Sequence, residues 1–299
     1  MRPSTPEHKP DPMPKVSLRH RAEAQALRAI IAPLMRLPLA RRVALMGRAS
    51  SALIAPVAGY RARIRDNLAH VMPDLPATEV TRLVRNVPNN MGRALIEQLS
   101  GAEFAAHAAS TPLAGPGLDA MAQAKAEDRP VILVTGHLGN HLAGVVALRA
   151  QGFDFGGLYM PLHNRIVNTR YVAALEHFLN PPFPRGREGL GAMLRHLREG
   201  RMLGMLIDQD MEHGAVLDFM GKPARTALSA AELALKFDAV LVPGYAIRQP
   251  DGLTFRATIE APVPHSDAAT MTQVLNDSLS AQVRLHMDQW LWTHRRWKA

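Results

Sequence analysis

The chain of 299 residues contains no cysteine. That excludes disulfide staples, thiolate metal sites and a thiol nucleophile, and it accords with a reducing compartment. Aromatic residues make up only 5% of the chain and no arginine block is interleaved with them, so the usual signatures of nucleic-acid recognition are missing. Nor is there a run of the roughly 20 uncharged apolar residues that a bilayer crossing needs. The candidate window, Ala26 to Val57, is broken by Arg28, Arg36, Arg41, Arg42 and Arg48. A helix built from it can lie in a membrane interface or pack its apolar face on its own domain, and both readings stand. Met1 to Lys15 hold five prolines among polar residues and lack the apolar core of a secretory signal, so 1–16 reads as a disordered tail.

What is present favours a packed protein with an anionic partner. Hydrophobic residues are 47% of the chain, and the length suits one large domain with a helical appendage. Lysine and arginine outnumber the acids 35 to 26, a net charge of +9. Such an excess suits nucleic acid or a membrane surface. With nucleic-acid signatures absent, membrane phospholipid is the expected partner and nucleic acid is not.

Prolines punctuate the first third of the chain into helical patterns at Leu18–Ala32, Leu39–Ala55, Tyr60–Val71 and Ala77–Leu99, giving a helical, membrane-associating region over 17–100. The segment Ser110 to Gly117, rich in Pro, Gly and Ala, reads as a boundary. Beyond it, apolar runs at Pro130–Gly136, Phe155–Tyr159, Met202–Ile207 and Ala239–Ile247 read as buried strands. Helical patterns at Asn140–Ala150, Ile166–Leu179, Glu188–Arg198 and Ala227–Phe237 lie between and after them. This alternation predicts an α/β fold over 101–299, with a mostly parallel central sheet flanked by helices. Leu253–Glu260 adds an antiparallel strand after a Pro-Asp-Gly turn, and a final helix runs over Asp267–Trp290.

The run Val134-Thr135-Gly136-His137-Leu138-Gly139-Asn140-His141-Leu142 carries the chemistry. A buried strand delivers His137 through a glycine-flanked turn onto the first turn of a helix, at the carboxyl edge where open α/β sheets bind ligands. There the imidazole can act as a base. The amides near Gly139 and Asn140, at the helix N-terminus, can face an anionic oxygen. His141, four residues on, has the spacing of a shared metal site, but no third ligand follows and no metal is expected. Asp208, in Leu206-Ile207-Asp208-Gln209-Asp210 at a strand end, is the carboxylate best placed to orient the histidine. It and Asp210 can equally cap that strand end.

These residues resemble the His-x4-Asp/Glu motif of the lysophospholipid acyltransferase superfamily, most closely its lipid A biosynthesis acyltransferase branch. Further matches are Asn67-Leu68 ahead of Met72-Pro73, the Asp208-Gln209 pair followed by Phe219-Met220-Gly221-Lys222-Pro223, Asn164, the basic glycine-rich Pro184 to Leu190, and the ending Asp288 to Lys298. The resemblance implies transfer of a fatty acyl chain from an acyl-carrier-protein or coenzyme A thioester to a hydroxyl of a membrane lipid, a lipid A precursor or a related lipid. It implies no further cofactor and a peripheral position on the cytoplasmic face of a bacterial inner membrane. His137 and Asp208 would be catalytic, and Gly139, Asn140, Asn164, Arg185 and Arg187 would bind substrate. Arg185 and Arg187 can also be ordinary solvated charges. The Trp-rich, basic ending would touch the membrane at the headgroup level.

Two positions depart from the family pattern. Leu142 stands where the acid of the motif belongs, and Met160 stands where relatives carry an arginine. These departures support the alternative of a catalytically impaired member that binds acyl donor or lipid. Restoring a carboxylate at Leu142 is expected to raise turnover if the ring lacks an orienter, and to do little if Asp208 already serves.

Overall fold

The structure, a computed structural model, describes residues 17–298. The tail expected over 1–16 lies outside the described residues. Helices α1 (Leu18–Leu34), α2 (Leu39–Ala49), α3 (Ala55–Val57), α4 (Tyr60–Val71), α5 (Ala77–Leu99) and α6 (Gly101–Ala108) come first. The pattern over Leu39–Ala55 is interrupted by a π turn at Ser50–Ile54, so α2 and α3 are joined through a widened segment. Gly59, at φ +68, then turns the chain into α4.

A seven-stranded sheet follows in the order β1-β9-β8-β2-β5-β3-β4. Its strands are β1 (Leu113–Ala114), β2 (Val131–Thr135), β3 (Phe155–Tyr159), β4 (Pro182–Pro184), β5 (Met202–Leu206), β8 (Val240–Arg248) and β9 (Phe255–Ile259). All neighbouring pairs are parallel except β8 and β9, which the Pro250-Asp251-Gly252 turn joins antiparallel. The predicted α/β class with a mostly parallel sheet and N-terminal helices is therefore the one observed. A short hairpin, β6 (Ala215–Phe219) and β7 (Lys222–Thr226), stands apart and turns through Met220 and Gly221, both at positive φ. That geometry is the tight turn hairpins favour.

The sheet is covered on both faces, which is why its middle strands carry unbroken apolar runs. On one face α7 (Gly117–Ala126) and α8 (His141–Ala150) pack Met121, Val145 and Leu148 against Val131, Leu133 and Val242. On the other, α10 (Arg187–Arg198), α11 (Ser229–Phe237) and α12 (Ala268–Leu285) pack Met193, Ala231 and Leu275 against Ile132, Leu203 and Leu241. The same cluster takes in Leu68 of α4 and Leu83 and Val87 of α5, so the N-terminal helices and the sheet share one core. Helix α9 (Arg165–Leu175) lies between β3 and β4 in the chain and packs on α1, α5 and α6.

Several expectations need correction. Within the Ser110 to Gly117 boundary segment, Leu113 and Ala114 form β1, which pairs with β9 at the sheet edge. The final helix stops at Leu285, and the chain passes through a short 3-10 turn, Met287–Gln289, into irregular structure. The tryptophan-rich ending does not face a membrane. Trp290 and Trp292 are buried, 4.8 Å apart edge to face, and pack with Phe219 and Trp297. Asn67 holds this segment by donating to the carbonyls of Trp292 (2.7 Å) and His294 (2.8 Å). Arg296, also buried, donates to the Thr226 hydroxyl and the Arg225 and Gln209 carbonyls.

A large aromatic in that position is a structural pin. Trp292→Ala should lower unfolding free energy by about 3–5 kcal/mol, read as a shift in the denaturant midpoint. A change under about 1 kcal/mol would mean that the C-terminal cluster is not core.

Candidate active site

Register brings the two expected catalytic residues together. Strands β2 and β5 pair with Thr135 opposite Leu206, so the residues two beyond each, His137 and Asp208, leave the carboxyl edge side by side. Asp208 is fully buried and accepts three hydrogen bonds: from the His137 amide at 2.6 Å, from His137 Nδ1 at 2.8 Å and from the Trp290 indole at 2.9 Å. Burial alone would raise the Asp208 pKa. The His137 charge and these donors outweigh it and hold the carboxyl well below the usual carboxylate range. For His137, burial opposes the charged ring, but the Asp208 charge and hydrogen bond prevail and its pKa lies above normal.

With Nδ1–H given to Asp208, the lone pair sits on Nε2, on the opposite side of the ring. The His137 side chain is 31% exposed, and that exposure is to a cleft of about 470 Å³. Beside it lies His141, edge to face at 5.9 Å. Burial and then the His137 charge push His141 down to about 4, so this second ring stays neutral. Among the described residues, no group of three or more His, Asp or Glu side chains can hold a metal ion.

The residues expected to bind substrate mostly do other work. The Gly139 amide donates to the Gln289 carbonyl and the Asn140 amide to the Ala246 carbonyl, each at 3.0 Å, so neither is free for an oxyanion. Gly139 is needed for space: its φ is +61, and a Cβ there would lie 2.0 Å from the Ala246 oxygen. The Asn140 side chain caps α8 through the Leu142 amide and donates to Glu97 at 2.7 Å. Glu97, fully buried, is shared with Arg248 at 2.7 Å. Asn164 caps α9 and donates to the His20 carbonyl and to Glu23, fastening α1. Arg187 opens α10 and is not part of the cleft wall. Asp210 turns away from the ring, its amide on His294 and its carboxylate on Lys298.

Both departures from the family pattern find their explanation in the neighbours. Leu142 is buried and packs with Phe104, Phe178 and Phe255, a place built for a hydrocarbon. The orienting acid comes from the next strand instead. Met160 follows β3, and the pairing of Tyr159 with Pro184 sets Arg185, the residue after β4, beside it. Arg185 lines the cleft, so a guanidinium is present where the main strand lacks one. Three features of the site are not evident from the sequence. Trp290 was visible only as part of a terminal motif, and His141 only as half of a metal pair. Thr135, the last residue of β2, carries a buried hydroxyl without a partner in the cleft wall.

The rest of the cleft is mostly apolar, with Gln98, Gln209 and Ser229 among its polar residues, and runs along α8 past Val145 and Leu148. Gly157 and Gly204 pair across β3 and β5, so two side chains are missing side by side from the sheet face beneath it. A histidine held by a carboxylate at the mouth of such a cleft is a site suited to acyl transfer.

The chain belongs to the bacterial lipid A biosynthesis acyltransferase family, whose model it matches over residues 15–299. It is 25% identical over 179 residues to a lipid A biosynthesis acyltransferase of Haemophilus influenzae, covering 59% of this chain and 56% of that protein. It is 26% identical over 188 residues to a phosphatidylinositol mannoside acyltransferase of Mycobacterium tuberculosis, covering 61% and 59%. A protein of the same description from Mycolicibacterium smegmatis aligns over 252 residues at 25% identity, covering 79% of each chain. The first two alignments thus span less than three-fifths of those relatives.

Because Leu142 packs in an apolar cluster, Leu142→Glu should not repair the motif. It should cost about 2–4 kcal/mol of stability through an unpaired buried carboxyl, measured by chemical denaturation. A stable variant with raised turnover would return the orienting role to position 142.

Proposed function

We propose that this protein transfers a fatty acyl chain from a thioester donor, carried by acyl carrier protein or coenzyme A, to a hydroxyl of a membrane glycolipid. A lipid A precursor or a related lipid is the acceptor that the family and the names of its relatives favour. The single observation that carries this reading is the His137–Asp208 pair at 2.8 Å, opening on an apolar cleft. No cofactor enters the scheme.

His137 Nε2 takes the proton of the acceptor hydroxyl as its oxygen attacks the thioester carbonyl. Asp208 keeps the ring in the tautomer with the proton on Nδ1 and stabilises the imidazolium. The Thr135 hydroxyl and Arg185, both in the cleft wall, are the donors available to the developing oxyanion. Collapse breaks the carbon–sulfur bond, and the thiolate recovers the proton from Nε2. The acyl chain runs along α8 in the space left by Gly157 and Gly204. Asp208 and Arg185, which offer the carboxylate and guanidinium that Leu142 and Met160 do not, support an active enzyme over the alternative of a catalytically impaired member.

The working place of the enzyme is the cytoplasmic face of the inner membrane, bound peripherally. No single described helix is long and apolar enough to cross a bilayer, although the bent pair Leu39–Val57 and Tyr60–Val71 passes by length and composition together. The contact surface is the apolar patch of Leu45, Leu53, Ile54 and Val57, the last 91% exposed, set among arginines of α2 and α4.

Activity should follow the neutral form of His137. It should therefore rise with pH through a pKa above the ordinary histidine value. His137→Ala should abolish turnover with the fold intact by circular dichroism. Asp208→Asn should lower the maximal rate by about 10²–10⁴-fold. It should also move the acidic limb to lower pH, because burial then acts on the ring without the carboxylate. An unshifted limb, or full activity in His137→Ala, would rule out this assignment of the base.

Membrane binding should depend on the patch. Leu53→Asp with Val57→Asp should weaken cosedimentation with anionic vesicles by about tenfold or more. Binding unchanged in the double variant would exclude this surface.

A further inference from the structure

Outside the acyl cleft, a strongly charged concavity lies between α2, α5 and the end of β8. It is about 730 Å³ in volume, and Arg48, Arg85, Arg93 and Arg248 line it together with Asn89 and Asn90. Of these four guanidiniums only Arg248 has a carboxylate partner, the buried Glu97. Arg48 and Arg85 make no side-chain hydrogen bond or ion pair among the described residues. Arg93 donates to Asn89 Oδ1 at 2.7 Å and to the Gly252 carbonyl at 2.9 Å, but it meets no carboxylate. The acid in the cleft wall, Asp288, lies 3.7 Å from Arg82 instead. The arginines feel one another: burial first, then the charge of Arg248 and, more weakly, that of Arg48 lower the Arg93 pKa, and the Glu97 charge offsets them only in part.

Four guanidiniums face this space against two carboxylates, Glu97 and an Asp288 shared with Arg82, and such an excess of like charge costs stability unless an anion joins it. Several guanidinium forks around one space suit a group with many acceptor oxygens, and the arginine fork matches phosphate in both geometry and charge. With its carbonyl taken by Arg93, Asn89 has only NH2 donors to add. We propose that this cleft binds the phosphate monoester of a lipid headgroup, with Arg48, Arg85 and Arg93 as its ligands.

Its position joins it to both the membrane and the acyl cleft. Arg48 lies one turn after the exposed Leu45 on α2, so the cleft opens beside the membrane patch. Gln98, five residues after Arg93 on α5, lines the acyl cleft, a separation along the helix of about 7–8 Å. Gln289 lines the charged cleft, while its carbonyl holds the Gly139 amide of the histidine loop. A headgroup held by its phosphate here keeps its hydroxyls near His137. That last link rests on the acyl-transfer reading, whereas the phosphate site itself does not.

The test is isothermal titration of the full-length protein with a soluble short-chain phosphatidic acid, its phosphatidylcholine counterpart and inorganic phosphate. Arg48→Gln/Arg85→Gln is the informative variant, because both side chains are exposed and support nothing else in the fold. Arg256→Gln/Arg284→Gln removes the same charge from other exposed positions. Phosphatidic acid should bind the parent, more tightly than inorganic phosphate does and far more tightly than phosphatidylcholine. Affinity should fall by about tenfold or more in the first variant and stay within about twofold in the second. Equal losses in both variants would reduce the effect to net charge and overturn the site. Inorganic phosphate binding as tightly as the lipid would overturn the headgroup assignment. Turnover without phosphate binding would sink this proposal alone, and phosphate binding without turnover would sink only the acyl-transfer reading.

Discussion

One buried carboxylate organises this protein. Asp208 has no solvent to stabilise it, so its charge depends on the donors that surround it: the His137 ring, the His137 amide and the Trp290 indole. Each donor belongs to a different element of the fold or to a different group of one loop. The strand pair β2 and β5 supplies the spacing, the glycine at 136 lets the carboxylate approach, and the C-terminal aromatic cluster closes the far side. The site is thus a product of the core rather than an addition to its surface.

A second buried carboxylate, Glu97, does for the surroundings what Asp208 does for the ring. It joins the cap of α8 to the end of β8 through Asn140 and Arg248. Helix α5 therefore reaches the acyl cleft and the arginine-lined cleft at once. The N-terminal helices carry the exposed apolar patch, supply Arg48, Arg85 and Arg93 to the arginine-lined cleft and reach the other cleft through Gln98 of α5.

The fold was legible because its signals are local. Apolar runs of strand length separated by helical periods mark a parallel sheet, and β2, β5 and β8 fall where those runs lie. What escaped was short or set by neighbours: β1 and β4 have two and three residues, and the hairpin of β6 and β7 alternates too weakly to stand out. In the site, His137 and Asp208 were legible because each follows a strand. In sequence the amides of Gly139 and Asn140 stand free at a helix start, but in the fold β8 and Gln289 reach them first. Nor can a sequence say that position 142 faces aromatic side chains from three other elements. Only the direction of the side chain decides whether an acid or a leucine belongs there.

The route of the chain also sets the order in which the site matures. His137 and Asp208 are 71 residues apart, and Trp290 lies a further 82 along. A chain emerging from the ribosome carries the base and its acid well before the indole that completes the acid's shell. Until Trp290 is released, the carboxylate lacks a donor and the aromatic cluster beneath it lacks its centre. Full order around Asp208 therefore waits on the segment that carries Trp290.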